Sequence, residues 1–178
     1  MFPQIPFSVS ESKVEGFSGE LRKVFIDKDG NVYRCLAIST ALNGDVFADG
    51  QVAFFKDDDT ATNAPTEADD TSNPRFAGVA CGALAESPST TTYYGLFRFR
   101  GLHDTLKCAA SVAIGDGLAT SLVTGGTPVV AEAQRLPKAN VTNGGAYLAS
   151  HLGGSTFIGS ARTAVSGGTC KAFLNGNG

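Results

Sequence analysis

Turn-forming residues recur along this chain every ~8–12 residues, the spacing of an all-β barrel or sandwich. Between them no segment keeps the 3.6-residue apolar period of a long amphipathic helix. Asp29-Gly30-Asn31, Asn43-Gly44-Asp45, Asp49-Gly50, Gly115-Asp116-Gly117, Gly125-Gly126 and Gly167-Gly168 each follow or precede a short β-rich run. Gly accounts for 22 of the 178 residues. A chain cut so often into short runs can bury its apolar residues only by pairing strands. The expectation is a compact small barrel or sandwich of short strands.

Several runs carry their own signal. Leu21 to Ile26 and Val32 to Ile38 flank an Asp-Gly turn, a strong hairpin pattern. Gln51 to Lys56 reads as a strand, as does the small-residue run Phe76 to Leu84. In Leu96-Phe97-Arg98-Phe99-Arg100 the two Phe fall on one face and the two Arg on the other. Leu118 to Leu122, Pro128 to Ala133, Phe157 to Arg162 and Gly168 to Leu174 complete the set, with Ala146 to Leu152 ambiguous.

The domain reading is an extended arm over 1–20 and a single β domain over 21–178. Pro3 and Pro6 favour extended backbone in the arm, whose Phe2, Ile5 and Phe7 are too few for a core; it reads either as a disordered tail or as a segment that docks on a partner or a neighbouring copy. Residues 57–74 are acidic and Thr/Ala-rich, with Asp57-Asp58-Asp59 and Asp69-Asp70, and read as a long surface loop.

Composition narrows the function. A net charge of −3 argues against a nucleic-acid binder. No apolar run approaches the ~20 residues of a membrane span, and Met1 to Phe7 lacks the basic and apolar regions of an export signal. Cys35, Cys81, Cys108 and Cys170 form no Cys-x-x-Cys pair and are expected as free thiols. Asn140-Val141-Thr142 matches a glycosylation acceptor by chance. The Asp27-x-Asp29 spacing fails as a calcium loop, because Gly30 falls at the fourth position and Ile38 at the twelfth.

Catalytic patterns are missing. Only His103 and His151 could serve a Ser or Cys nucleophile, and no Gly-x-Ser-x-Gly elbow or phosphate loop is present. His103-Asp104 reads as a turn. The chain is read as a non-enzyme with no cofactor and no metal. Arg98 and Arg100 are candidate partner contacts, since adjacent outward Arg pair well with carboxylates.

One ordered series carries a resemblance. Tyr94-Gly95-Leu96-Phe97-Arg98-Phe99-Arg100-Gly101 is followed by Ile114-Gly115-Asp116-Gly117, a Gly-Gly turn before Val129-Val130, Phe157-Ile158-Gly159-Ser160-Ala161, and a closing Gly167 to Gly176 run ending Leu174-Asn175-Gly176. Arg75-Phe76-Ala77-Gly78-Val79-Ala80 precedes it. Over about residues 32–176 this order resembles the small capsid cement, or decoration, proteins of tailed bacteriophages. The arm, the acidic span and residues 134–156 depart from that pattern. The resemblance implies a trimeric β protein, made in the host cytoplasm, that binds the major capsid protein on the outside of the phage head and ties neighbouring subunits together. Phe2, Ile5, Phe7, Arg98 and Arg100 are the expected interface residues. Other structural phage parts, a tail component or head-surface adhesin, are the alternative; a small hydrolase using carboxylates at 57–59 or 69–70 is a third reading.

Overall fold

The computed structural model describes residues 4–11, 14–69, 75–109, 111–119, 133–135 and 157–176. Phe2, Asp70, residues 120–132 and the stretch 136–156 with Asn140 and His151 lie outside them. The strands are β1 (Val24–Ile26), β2 (Val32–Ile38), β3 (Val46–Phe47), β4 (Val52–Phe55), β5 (Thr60–Thr62), β6 (Phe76–Ala80), β7 (Leu84–Ala85), β8 (Tyr94–Lys107), β9 (Gly117–Ala119), β10 (Gln134–Arg135), β11 (Phe157–Ala161) and β12 (Thr169–Asn175). Among the described residues, only short 3-10 turns, Ser18–Glu20 and Pro65–Glu67, interrupt this all-β pattern. No helix among the described residues is long and apolar enough to cross a membrane.

The expected hairpin forms. β1 and β2 pair antiparallel with Val24 opposite Arg34, and the turn is closed by the Asp27 amide on the Asn31 carbonyl at 3.0 Å. From β2 the pairings run to β5 (parallel), to β4, to β6, to β8 and back to β2. Five strands therefore close a small barrel. Its interior holds Leu36, Ile38, Ala53, Ala61, Ala77, Leu84 and Phe97, a side-chain filling typical of narrow barrels. The β3–β7 pair brings Phe47 and Leu84 to the same cluster.

β8 joins two layers because it is 14 residues long. Residues from Tyr94 to Arg100 pair with β2, while Arg100 to Lys107 pair with β12. The sheet continues through β11 and β9 to β10. Inward residues of this layer, Leu106, Cys170, Ala172, Leu174, Ile158 and Leu118, pack with Val52, Phe54, Phe76 and Val79 of β4 and β6. The architecture is thus a barrel with a second sheet laid against two of its strands.

Period-2 alternation explains the burial. In β8 Phe97 and Phe99 are buried and Arg100 is exposed, as the sequence alternation predicts. Two glycines are demanded by close approach. Gly101 has φ +110° and lies against Asn31, which would collide with a Cβ; Gly159 has φ +154° and lies against the Phe173 carbonyl.

Three segments differ from the sequence expectation. Residues 57–74 are not simply a water-facing loop: Ala61, Thr62, Asn63, Ala64 and Pro65 are buried, and Thr60–Thr62 is a strand of the barrel. Small Thr and Ala side chains carry little apolar signal, yet they fit where β5 is squeezed between β2 and β4. His103-Asp104 is no turn but mid-strand, with His103 only 3% exposed. The small-residue run Phe76 to Leu84 splits, because a turn at Cys81-Gly82 separates β6 from β7.

Candidate functional site

The segment before Leu21 lies on the chain's own barrel. In β2, Leu36 and Ile38 point inward, so Tyr33, Cys35 and Ala37 point outward, where they join Phe25, Tyr94 and Leu96 in a separate apolar cluster. Such a face needs a cover. Ile5, Phe7, Val9, Phe17 and Leu21 supply it, half-buried against that cluster. The Phe7 and Phe17 rings meet edge-on at 4.7 Å, Val14 is buried, and its carbonyl accepts the Tyr94 amide at 2.8 Å. Two of the arm residues named from sequence, Ile5 and Phe7, are therefore engaged within the chain.

Arg98 projects from β8 onto the same outer face. Its guanidinium stands 5.1 Å from the centroid of the Tyr33 ring, and Nη2 and Nε donate to the Tyr33 hydroxyl at 2.6 and 3.2 Å. Nη1 donates to the Leu102 carbonyl. The Tyr33 hydroxyl in turn donates to Asp27 Oδ2 at 3.0 Å. That carboxylate also accepts the amides of Asp29 and Asn31 and the Asn31 side-chain amide, each at 2.9 Å. Asn31 Oδ1 closes the circuit by accepting the Leu102 amide at 3.1 Å. Burial pushes the Asp27 carboxyl upward, but its hydrogen bonds outweigh this and hold it below its ordinary range. Burial raises the Tyr33 phenol to about 12 despite the nearby Arg98. Arg98 is thus a structural clamp between β8 and the β1–β2 turn.

Arg100 is placed differently. It pairs in register with Val32 and Asn175 and is exposed. With it on the outer face of the β8–β12 ribbon stand Leu102 and Phe173, cross-strand partners left 41% and 40% exposed. Arg162 lies 5.6 Å over the Phe173 ring, and Lys171 pairs with Asp104 at 2.8 Å. Of this basic and aromatic surface, the sequence reading named Arg100 but missed Leu102, Phe173, Arg162 and Lys171. The alternation Thr169-Cys170-Lys171-Ala172-Phe173-Leu174-Asn175 was the available signal, since every odd-numbered residue falls on the outer face.

Among the described residues, the groups with chemistry to offer are dispersed or already paired. Asp58 and Asp59 bridge to Arg22, and Asp58 and Asp69 to Arg75. Lys56, beside Ser39 in a shallow cleft, is paired with Glu67 at 2.9 Å. His103 sits with Nε2 3.3 Å from the Ala80 carbonyl and 3.8 Å from the Cys81 sulfur. Burial, then the Arg98 charge, pushes its pKa down. Burial also raises the Cys81 thiol to about 11 and the Cys35 thiol to about 12. Among the described residues no three His, Cys, Asp or Glu side chains gather to hold a metal ion. The Cys108 and Cys170 sulfurs lie 2.6 Å apart.

Comparison with known proteins adds no relative: no family model, no curated protein and no solved structure matches the chain.

Proposed function

We propose that this chain is a capsid cement protein of a tailed bacteriophage, which binds the outer surface of the head and braces contacts between major capsid subunits. The observation that carries the reading is the ordered strand and turn series from Arg75 to Gly176, which resembles that family. A closed barrel backed by a second sheet supports it, because a brace requires a stiff body rather than a mobile catalytic cleft. The contact surface in this reading is the outer face of β8 and β12, where Arg100 offers bidentate pairing to a carboxylate and Leu102 and Phe173 offer apolar area. Ile5 and Phe7 act as a cover for the barrel, and Phe2 is retained from the sequence as a further proposed contact. A homotrimer would repeat the surface symmetrically and gain from multivalent attachment.

Co-sedimentation with purified phage heads tests this. The protein is expected to pellet with expanded heads at a fixed ratio to the major capsid protein. A triple variant Arg100→Glu, Leu102→Ser, Phe173→Ser should bind at least about tenfold more weakly. Absence of binding to expanded heads, or equal binding of the variant, overturns the reading and its surface respectively.

A further inference from the structure

We propose that Cys108 and Cys170 are a redox-closing pair, which a two-electron hydroperoxide oxidant joins as a disulfide fastening the start of β12 to the end of β8. The inference is independent of the capsid reading. Cys108 follows the last residue of β8, and its amide donates to the Gly168 carbonyl at 3.0 Å. Cys170 is the second residue of β12 and pairs in register with Leu106. The alternation of the two strands turns both side chains inward, where each residue is 2% exposed. Their sulfurs are thereby brought to 2.6 Å across a sequence gap of 62 residues, with no apolar side chain between them. That separation is shorter than the van der Waals contact of two sulfurs, so unbonded thiols repel each other there; a covalent bond is the interaction that relieves it.

Hydrogen bonding from Cys108 favours the Cys170 thiolate and holds its pKa below the ordinary thiol value, against the effect of burial. Cys170, beside the exposed Gly167-Gly168 turn, is the sulfur that a peroxide reaches first and so the attacking one. It displaces hydroxide from the peroxide, forming a sulfenic acid; the hydroxide takes a proton and leaves as water. Cys108 then attacks the sulfenic sulfur, the S–S bond forms as the S–O bond breaks, and a second water departs. Two thiols lose two electrons and two protons, and one peroxide becomes two waters. Access comes through the exposed Gly167-Gly168 turn beside Cys170, at the start of β12, where a strand terminus opens locally. Cys35 and Cys81 lie in or against a different apolar cluster and provide an internal control.

The experiment treats the folded full-length protein with hydrogen peroxide, alkylates the remaining thiols in denaturant, and maps the linkages by mass spectrometry without reductant. The expected result is one linkage, Cys108 to Cys170, with Cys35 and Cys81 alkylated. The oxidised protein should melt about 10 °C higher than the reduced protein, reversibly with dithiothreitol, because the bond closes a long loop in the unfolded chain. A Cys170→Ser variant, compared with itself, should show no such shift. Four alkylated thiols after peroxide, a different linkage, or oxidation of Cys170 to sulfinic acid without linkage would each overturn the proposal. So would an unchanged or lower melting temperature of the linked form. The unfolded chain oxidised in urea should give mixed linkages; the same single linkage there would show that the fold does not select the pair.

Discussion

The two largest polar clusters described in this protein use the same kinds of group, yet they sit in different surroundings. One is the Asp27–Asn31–Tyr33–Arg98 circuit, centred on a tyrosine only 2% exposed. The other is the chain of Arg22, Asp58, Asp59, Asp69 and Arg75, in which the Arg22, Asp58 and Arg75 side chains are 60%, 66% and 53% exposed. In the first, Tyr33 is buried and Asp27, Asn31 and Arg98 are half-buried, so water is held back and a donor or acceptor that loses its protein partner incurs a desolvation cost. In the second, water stands ready to replace any partner that is removed, and the ions are screened. Similar charges and distances therefore imply different energetic weight. The difference also reassigns Arg98: its guanidinium belongs to the barrel's own wall, while Arg100, two residues on, faces out.

The contrast can be broken most severely at Tyr33. Tyr33→Phe keeps the ring but removes the acceptor of Arg98 Nε and Nη2 and a donor to Asp27. It should lower stability by about 2–3 kcal/mol in urea denaturation; a loss under about 0.5 kcal/mol would show that water reaches the circuit. Arg98→Ala should follow at about 2 kcal/mol, since it deletes charge-assisted bonds and the stacking on Tyr33. The parallel Arg100→Ala should stay within about 0.5 kcal/mol, as surface substitutions do. Equal losses for the two variants would remove the distinction between clamp and exposed contact.

Acid gives a third measure. His103 has its pKa lowered by burial and by Arg98, so the unfolded chain binds its proton more readily than the folded one. The sign follows from linkage: stability is complete above the ordinary value of 6.5, falls as pH drops below it, and levels off beneath the folded pKa. Asp27 acts at lower pH, its contribution present above 3.8 and lost as pH falls through its depressed folded pKa. Urea midpoints at stepped pH should show both declines, with the upper one reduced in Arg98→Ala. An upper decline that survives His103→Gln would exclude His103 as its source. The smallest effect is expected in the exposed cluster, where Arg75→Gln should change stability by about 0.5 kcal/mol or less, and less still in high salt.

The parts legible in the sequence were those set by neighbours along the chain. The Asp-Gly turn and its flanking β runs announce β1 and β2, and strict alternation announces β8, because pleating is a local property. The candidate surface was half legible. Arg100 was found, but its companion Phe173 lies 73 positions later and meets Leu102 only through the β8–β12 register. Thr60 to Thr62 gave no strand signal of its own, since its place in the barrel depends on β2 lying parallel beside it. The arm's Ile5 and Phe7 looked too sparse to pack, because the outward face of Tyr33, Cys35 and Leu96 that receives them exists only once the barrel has closed. His103 was misread as a turn residue, its burial being conferred by β6 and β12 rather than by Asp104.

By itself, then, the sequence determined an all-β chain of short strands, with its hairpin at 24–38 and its alternating faces, for turn chemistry and side-chain period act over a few residues. Tertiary structure decided which faces meet. It closed five strands into a ring, turned Arg98 from a surface charge into a clamp, laid the N-terminal segment over an apolar wall and set Cys108 against Cys170. Each of these depends on strand partners far apart in the chain, which the loss of water from two facing surfaces selects and no local pattern records.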